Sequence, residues 1–361
     1  MKSRNIGYIP EVDHLRLFAA LLVFGFHFFH FYAGNWRPYP DRPFFGLITE
    51  GHTGVSLFFL LSGFIFMTIA LTSDEIRYGA FLRNRILRIA PLFLTVFIVA
   101  VSIGRDRFEA MDIIYIFITN IGDAPTSWHF STGPAWSISV EFAFYLVFPF
   151  LALFTKERGP AYLLRAIALI FVIKLAAYFA TDNSRHMLYS TLVGRFDQFL
   201  IGMLAAIGYS RRRPLLERHG RVLLAISLLL ILLGAAVQAR WMSYFSAEPK
   251  QPLGVIWGSV EASLWAFVVV AYLAARLPWP RFIGRALSKG GEWSFSLYMW
   301  HAMIIYTIHQ LLGPIGSGWT ALAAQGAGIL VVALLFAALS YTTIERPFLE
   351  MRARYVRTPG S

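Results

Sequence analysis

Arg16 and His27, eleven positions apart in EVDHLRLFAALLVFGFH, are the first pair whose types and spacing suggest chemistry. On a helix eleven steps turn about 1100°, within roughly 20° of the same face, so both side chains look into one groove. The rise between them is about 16 Å, which puts Arg16 near one interface of a bilayer and His27 well inside it. Burial in hydrocarbon favours the neutral imidazole, the state a general base needs to take a proton from a hydroxyl. The same position also suits a histidine that hydrogen-bonds a neighbouring helix as packing. His30 lies one turn further out. Glu141, in GPAWSISVEFAFYL, falls about two turns inside its helix, at roughly the depth of His27. A carboxylate there either orients the imidazole, like the acid of a triad, or pairs independently with Lys174, Arg195 or a backbone donor. Arg85 and Arg88, in FLRNRILRIAP, share a helical face. They form a fork suited to phosphate oxygens, although arginines at membrane edges also serve as topology anchors. Asp13, Ser137 and His301 complete the set as candidates for substrate contact or structural support. Arg195 and Asp197, which open one helix, and Glu345 and Arg346, which close another, read as groups that pair with neighbouring helices.

The elements that must hold these residues are membrane helices. Hydrophobic residues make up 57% of the 361 and charged residues 14%, with a mean hydropathy of +0.58. A soluble domain carries nearly twice that share of charge. Apolar runs bounded by charge, Pro and Gly predict ten helices near 14–33, 54–71, 87–104, 134–154, 164–181, 194–210, 222–239, 254–276, 293–312 and 319–342. The expected fold is an all-α polytopic bundle of about ten transmembrane helices, forming a single domain over 1–361. The first run reads as a retained helix and not as a cleaved signal peptide. With the N-terminus in the cytosol, inside segments hold 23 of the 32 Lys and Arg, outside loops hold eight, and Lys174 lies within a span. That asymmetry predicts cytosolic N- and C-termini and an even number of crossings. Residues 113–121 are too short for an ordinary span and read as re-entrant or interfacial. The net charge of +12 is accounted for by orientation in the bilayer, which makes nucleic acid a poor partner. The absence of cysteine excludes disulfides, thiolate metal sites and a Cys nucleophile. No metal is expected.

Six segments in order resemble the acyltransferase-3 membrane proteins, which acylate bacterial O-antigens, exopolysaccharides, Nod factors and some antibiotics. VDHLRLFAALLVFGFH is similar to that family's Arg, ten residues, His signature, GVSLFFLLSGFIF to its second helix and FLRNRILRIAP to its Arg-x-x-Arg element. PAWSISVEF, GEWSFSLYMWH and TIERP follow at matching spacing. His14 and Leu17 stand where glycine is usual or frequent, and Ser56 replaces a frequent aspartate. The resemblance implies an integral inner-membrane acyltransferase that takes an acyl group, acetyl by default, from cytosolic acyl-CoA to a hydroxyl of a surface glycan or lipid-linked glycan. It implies essential roles for Arg16 and His27, with His27 at the reacting centre and Arg85 and Arg88 in donor binding or in the architecture of the site. Without the extracytoplasmic hydrolase-like domain fused to some members, the chain is expected to act directly, through a separate periplasmic partner, or as a homo-oligomer.

Two other readings use the same residues. A transporter or flippase of acyl groups, lipid-linked sugars or drugs would employ the intramembrane charges as a relay and move substrate without cleaving a thioester. A structural or signalling membrane protein would lose stability, and no chemistry, when His27 is replaced.

Overall fold

The computed structural model describes residues 5–36, 45–104, 133, 136–245 and 250–357. Within them the chain is a bundle of long helices with one two-residue antiparallel strand pair. The order is α1 (Pro10–Ala33), α2 (Gly46–Thr49), α3 (Thr53–Leu71), β1 (Glu75–Ile76), α4 (Tyr78–Ile103), α5 (Trp136–Arg158), α6 (Ala161–Ala180), α7 (Ser184–Ser190) and α8 (Leu192–Val237). After a π-helical turn come α9 (Gly254–Ala275), α10 (Arg281–Leu312), α11 (Trp319–Ser340), a second π turn, α12 (Arg346–Glu350) and β2 (Val356–Arg357). Among the described residues eight helical stretches are long and apolar enough to cross a membrane. Leu164, Leu169, Val172, Leu229, Leu233 and Leu335 point outward and are exposed. In water such surface would be a liability; in a bilayer it faces lipid.

The two expected spans 194–210 and 222–239 are the two limbs of α8, a 46-residue helical stretch broken at Arg212. A straight rod of that length would reach about 69 Å, more than twice the thickness of a hydrocarbon core. It folds back instead at Arg212, whose φ/ψ of −117°/16° leaves the helix, two residues before Pro214. Both limbs pack on α9: Gly258 meets Gln198 near the start of the first limb, whereas Gly220 meets the Ala274 carbonyl near the start of the second. The sequence places the break here correctly. The continuous α10 also starts twelve residues before the expected 293, and α4 starts nine before 87. In both, the missed turns are polar and exposed on one side, so hydropathy ends while the helix does not. Residues 113–121, expected to be re-entrant, lie outside the described residues.

The two ends of the described chain meet on one face. Asn5 Oδ1 accepts from the Tyr355 amide at 3.0 Å, and β1 pairs with β2, Glu75 opposite Arg357 and Ile76 opposite Val356. Asn84 clamps the tail by donating to the Ala353 carbonyl at 2.6 Å and accepting from its amide at 3.1 Å. The helices approach closely where glycines face carbonyls. Gly63 and Gly202 lie against the Phe199 and Leu60 carbonyls between α3 and α8, and Gly291 lies against the Asp13 carbonyl between α10 and α1. Small residues let membrane helices approach backbone to backbone, where dispersion does the work the hydrophobic effect does in water.

Candidate active site

Five helices, α1, α3, α4, α5 and α10, wall a bore that opens on the face where the two chain ends meet. Its outer part is lined by Tyr8, Asp13, Arg16, Asn84, Arg352 and Tyr355. A deeper throat is lined by Phe58, Ser62, Arg88, Ser137, Glu141 and Tyr298. Arg16, Phe66 and Arg85 border both and form the collar between them.

The cations at the mouth are held in three different ways. Arg16 pairs with Asp13 at 3.3 Å, and Asp13 also accepts from the Tyr8 hydroxyl at 2.9 Å. Arg88 pairs at 3.5 Å with the buried Glu345, whose other oxygen accepts a hydrogen bond from Ser296 at 2.5 Å. Arg85 has no carboxylate partner among the described residues. Its guanidinium lies 5.0 Å from the Phe66 ring, 5.5 Å from Phe81, 5.8 Å from Tyr145 and 5.9 Å from Tyr355, and its buried Nε makes no hydrogen bond. The rings hold the guanidinium by cation–π attraction and leave its donors for an incoming anion. Arg352 reports the local field: burial, then the guanidiniums of Arg88, Arg85 and Arg16, pull its pKa down to about 10. It remains a cation at neutral pH, so the mouth presents an excess of positive charge.

Beyond Tyr298, and outside the lining of both cavities, are two histidines. His27 Nδ1 lies 2.9 Å from the Val23 carbonyl and 3.1 Å from His301 Nε2, while His301 Nδ1 lies 2.6 Å from the Tyr298 carbonyl. A carbonyl only accepts, so each Nδ1 carries a proton. The Val23 carbonyl thus fixes the His27 tautomer, and His301 Nε2 lies beside the same Nδ1–H as a second acceptor. His27 Nε2 keeps its lone pair and has no partner among the described residues. Tyr298 joins this pair to the throat, its ring centroid 5.9 Å from that of His301 and its hydroxyl 2.7 Å from Ser137 Oγ.

Glu141, expected beside His27, is elsewhere. It lines the throat and accepts from Ser62 Oγ at 2.6 Å, in the same cavity as Arg16, Arg85 and Arg88. The depth estimate was a height along a helix and carried no azimuth, and α5 turns Glu141 toward α3. Lys174 and Arg195, its alternative partners, are engaged in a separate buried network: Lys174 with Asp197 at 2.8 Å, and Arg195 with Glu261 at 3.7 Å and with Ser56 at 3.1 Å. Glu345 pairs across helices with Arg88, as expected, whereas Arg346 pairs with Glu350 one turn on, at the surface. His30 is buried, with Nδ1 2.7 Å from the Asn35 carbonyl and Nε2 2.8 Å from that of Thr49. Gly34, at φ 62°, caps α1 and reverses the chain. That turn lays the exposed Trp36 flat on His30, at 5.5 Å and 14°, with its ring 5.9 Å from His27.

Residues 9–342 match the acyltransferase-3 family, described as an acyltransferase domain. The chain belongs to that family. It is therefore a multi-pass membrane protein of the acyltransferase class. Nodulation protein 10 of Rhizobium leguminosarum bv. viciae is 26% identical over 98% of this chain and 97% of its own length. Acyltransferase MdmB of Streptomyces mycarofaciens is 27% identical over 96% and 93%. O-acetyltransferase OatA of Staphylococcus aureus is 25% identical over 96% of this chain but only 58% of its own length. No solved structure matches.

As a family member, the chain places its Arg-to-His helix along the bore, with Arg16 at the collar and His27 beyond the throat. Sequence reasoning missed Tyr298, Asn84, Arg352, Tyr355 and Trp36. Tyr298 lay inside the quoted GEWSFSLYMWH segment, one turn before His301, and helical spacing could have found it. Arg352 and Tyr355 reach the mouth only because the tail folds back over 260 residues to α4. Nothing local in the sequence signals that contact. Among the described residues no group of three His, Cys, Asp or Glu is placed to hold a metal.

Proposed function

We propose that this chain is an acyl-CoA-dependent O-acyltransferase of the bacterial inner membrane that moves an acyl group, acetyl by default, to a glycan hydroxyl. The observation that carries the reading is a single bore with an uncompensated guanidinium, Arg85, at its collar and an imidazole pair with a bare nitrogen beyond its far end. CoA has a phosphorylated nucleotide and a long thin arm that ends in the thioester. Its phosphates suit Arg85, Arg16 and Arg352 at the mouth, and its arm suits the narrower throat beside Phe58, Phe59 and Phe295. The reactive end then arrives at Tyr298, and that ring is the last one before His301.

In the proposed step His27 Nε2 takes the proton of the acceptor hydroxyl as the oxygen attacks the thioester carbonyl. Collapse of the tetrahedral intermediate breaks the C–S bond, and the imidazolium returns the proton to the departing thiolate. His301 accepts from His27 Nδ1–H throughout and holds the ring in orientation. The same Nε2 could instead take the acyl group itself and pass it on, a covalent route that an acyl-histidine trapped in an acid quench would reveal. Trp36, an exposed indole stacked on an immobilised imidazole beside His27, supplies a flat apolar surface against which a sugar ring can lie. The names of the relatives above support an acyl or acetyl group as cargo.

Release of free CoA from acetyl-CoA by purified protein in bilayers, given a glycan acceptor pool, tests the reading. We expect turnover in the wild type and at least a thousandfold loss in His27→Ala, with both proteins equally folded. Folded wild type that releases no CoA from any of several acyl donors, yet moves substrate across the bilayer, would replace this reading with the transporter.

A further inference from the structure

The fold-back of α8 leaves a crevice on the lipid-facing side, away from the bore. Ala205 and Gly208 on the first limb, Leu216 on the second, and Ala266 and Val270 on α9 line it, with Arg212 at its corner. Tyr209 and Phe267 line it as well, so its only polar lining groups are Arg212 and the Tyr209 hydroxyl. The first limb up to the bend, residues 192–211, is twenty residues long and rises about 30 Å, so Arg212 sits at the edge of the hydrocarbon layer, at the level of lipid phosphates.

The charge around the corner is lopsided. Residues 205–221 contain five arginines and one carboxylate, Glu217. That carboxylate is already bridged by Arg213 at 2.7 Å and Arg276 at 2.5 Å. Arg212 has no ion pair among the described residues, and it occupies the one position in the limb pair whose backbone leaves the helix. A fatty chain suits the largely apolar slot. A phosphate with net negative charge suits the arginine, and a zwitterionic headgroup would bring a second cation into an already positive place.

We propose that this crevice is a binding site for an anionic phospholipid, with one acyl chain between the limbs of α8 and α9 and the phosphate on Arg212. Neither donor nor acceptor chemistry enters the argument, so the site stands or falls independently of the transferase reading. Its place is the seam between the two α8 limbs and α9, and an occupant there ties the three together.

Gly208 makes the test clean, because a Cβ added there meets nothing within 4 Å. Gly208→Leu therefore fills the slot without pushing on backbone, whereas Arg212→Gln removes the charge and keeps the slot. Delipidated protein in detergent would be titrated with phosphatidylglycerol, phosphatidylcholine or inorganic phosphate. Retained lipid would be counted by native mass spectrometry and the melting temperature followed in parallel. We expect phosphatidylglycerol to bind wild type at least tenfold more tightly than phosphatidylcholine, both variants to lose at least tenfold of that affinity, and inorganic phosphate to shift nothing. Undiminished phosphatidylglycerol binding by Gly208→Leu, equal retention of phosphatidylcholine, or an equal melting shift from inorganic phosphate each overturns the proposal. Should Gly208→Leu melt below wild type without lipid, Arg212→Gln decides alone, and undiminished binding in that variant overturns the proposal.

Discussion

At the scale of single residues the site separates groups that look alike in sequence. Arg85 and Arg88 are three positions apart on one helix, but one is caged by aromatic rings and the other is tied to Glu345. Arg85→Ala should therefore raise the KM for the acyl donor about tenfold or more, with little change in melting temperature. Arg88→Ala should act on stability instead, because it leaves the Glu345 carboxylate, 1% exposed, without its cation. Losing one partner of a buried pair costs about 3 kcal/mol, and Arg88→Ala combined with Glu345→Gln should recover most of it in a double-mutant cycle. If both arginine variants change donor KM equally and stability not at all, the division of labour is wrong. His301 is the sharper case. His301→Ala should lower kcat by about a hundredfold while donor KM stays put, and His301→Gln, whose amide oxygen can still accept from His27 Nδ1–H, should restore part of the rate. Equal losses of rate and folded yield in both variants would make His301 a packing residue. Spacing alone singled out His27 and His301, yet their contact across α1 and α10 was not legible, because a sequence gives height along a helix and not the neighbour it faces. The same gap sent Glu141 to the wrong partner.

At the scale of elements, apolar runs located the helices, since lipid demands about twenty apolar residues per crossing whatever the neighbours are. What the runs could not show was the amphipathic first turns of α4 and α10, where the protein itself solvates polar side chains, and the return of the tail. That return has a consequence at the mouth: Asn84 holds Ala353 by two hydrogen bonds, and the held segment presents Arg352 and Tyr355 to the collar. Asn84→Ala should free the segment and raise donor KM about tenfold with kcat unchanged, and a chain ending after Glu350 should behave alike. An unchanged KM in both would reduce the tail to a strap without a role in binding. Glycines along α8 divide in the same physical way. Gly202→Val drives a side chain into the Leu60 carbonyl and should cost about 3 kcal/mol or more, seen as lost folded yield, whereas Gly208 has open space around it.

At the scale of the whole molecule, function depends on which way the bore faces, and the sequence offers a clean way to find out. Asn5, the tail, the α8 bend and the collar arginines share one face, and the α10–α11 turn lies at the opposite end of the bundle. On the proposed reading the first face is cytosolic, as the charge asymmetry predicts, and the donor is acyl-CoA, so orientation and donor stand or fall together. The natural chain has no cysteine, so single cysteines report without background. Arg218→Cys near the bend, Arg354→Cys in the tail and Ser317→Cys in the α10–α11 turn all fall at exposed positions. In intact spheroplasts a membrane-impermeant maleimide should label only Ser317→Cys, and permeabilisation should expose the other two. The reverse pattern would point the arginine-rich mouth away from the cytosol. No CoA could then reach Arg85, and the bore would have to be read as a path for an anionic substrate from outside. Labelling of the tail and the bend from opposite sides would break the even number of crossings and the fold-back of α8 with it.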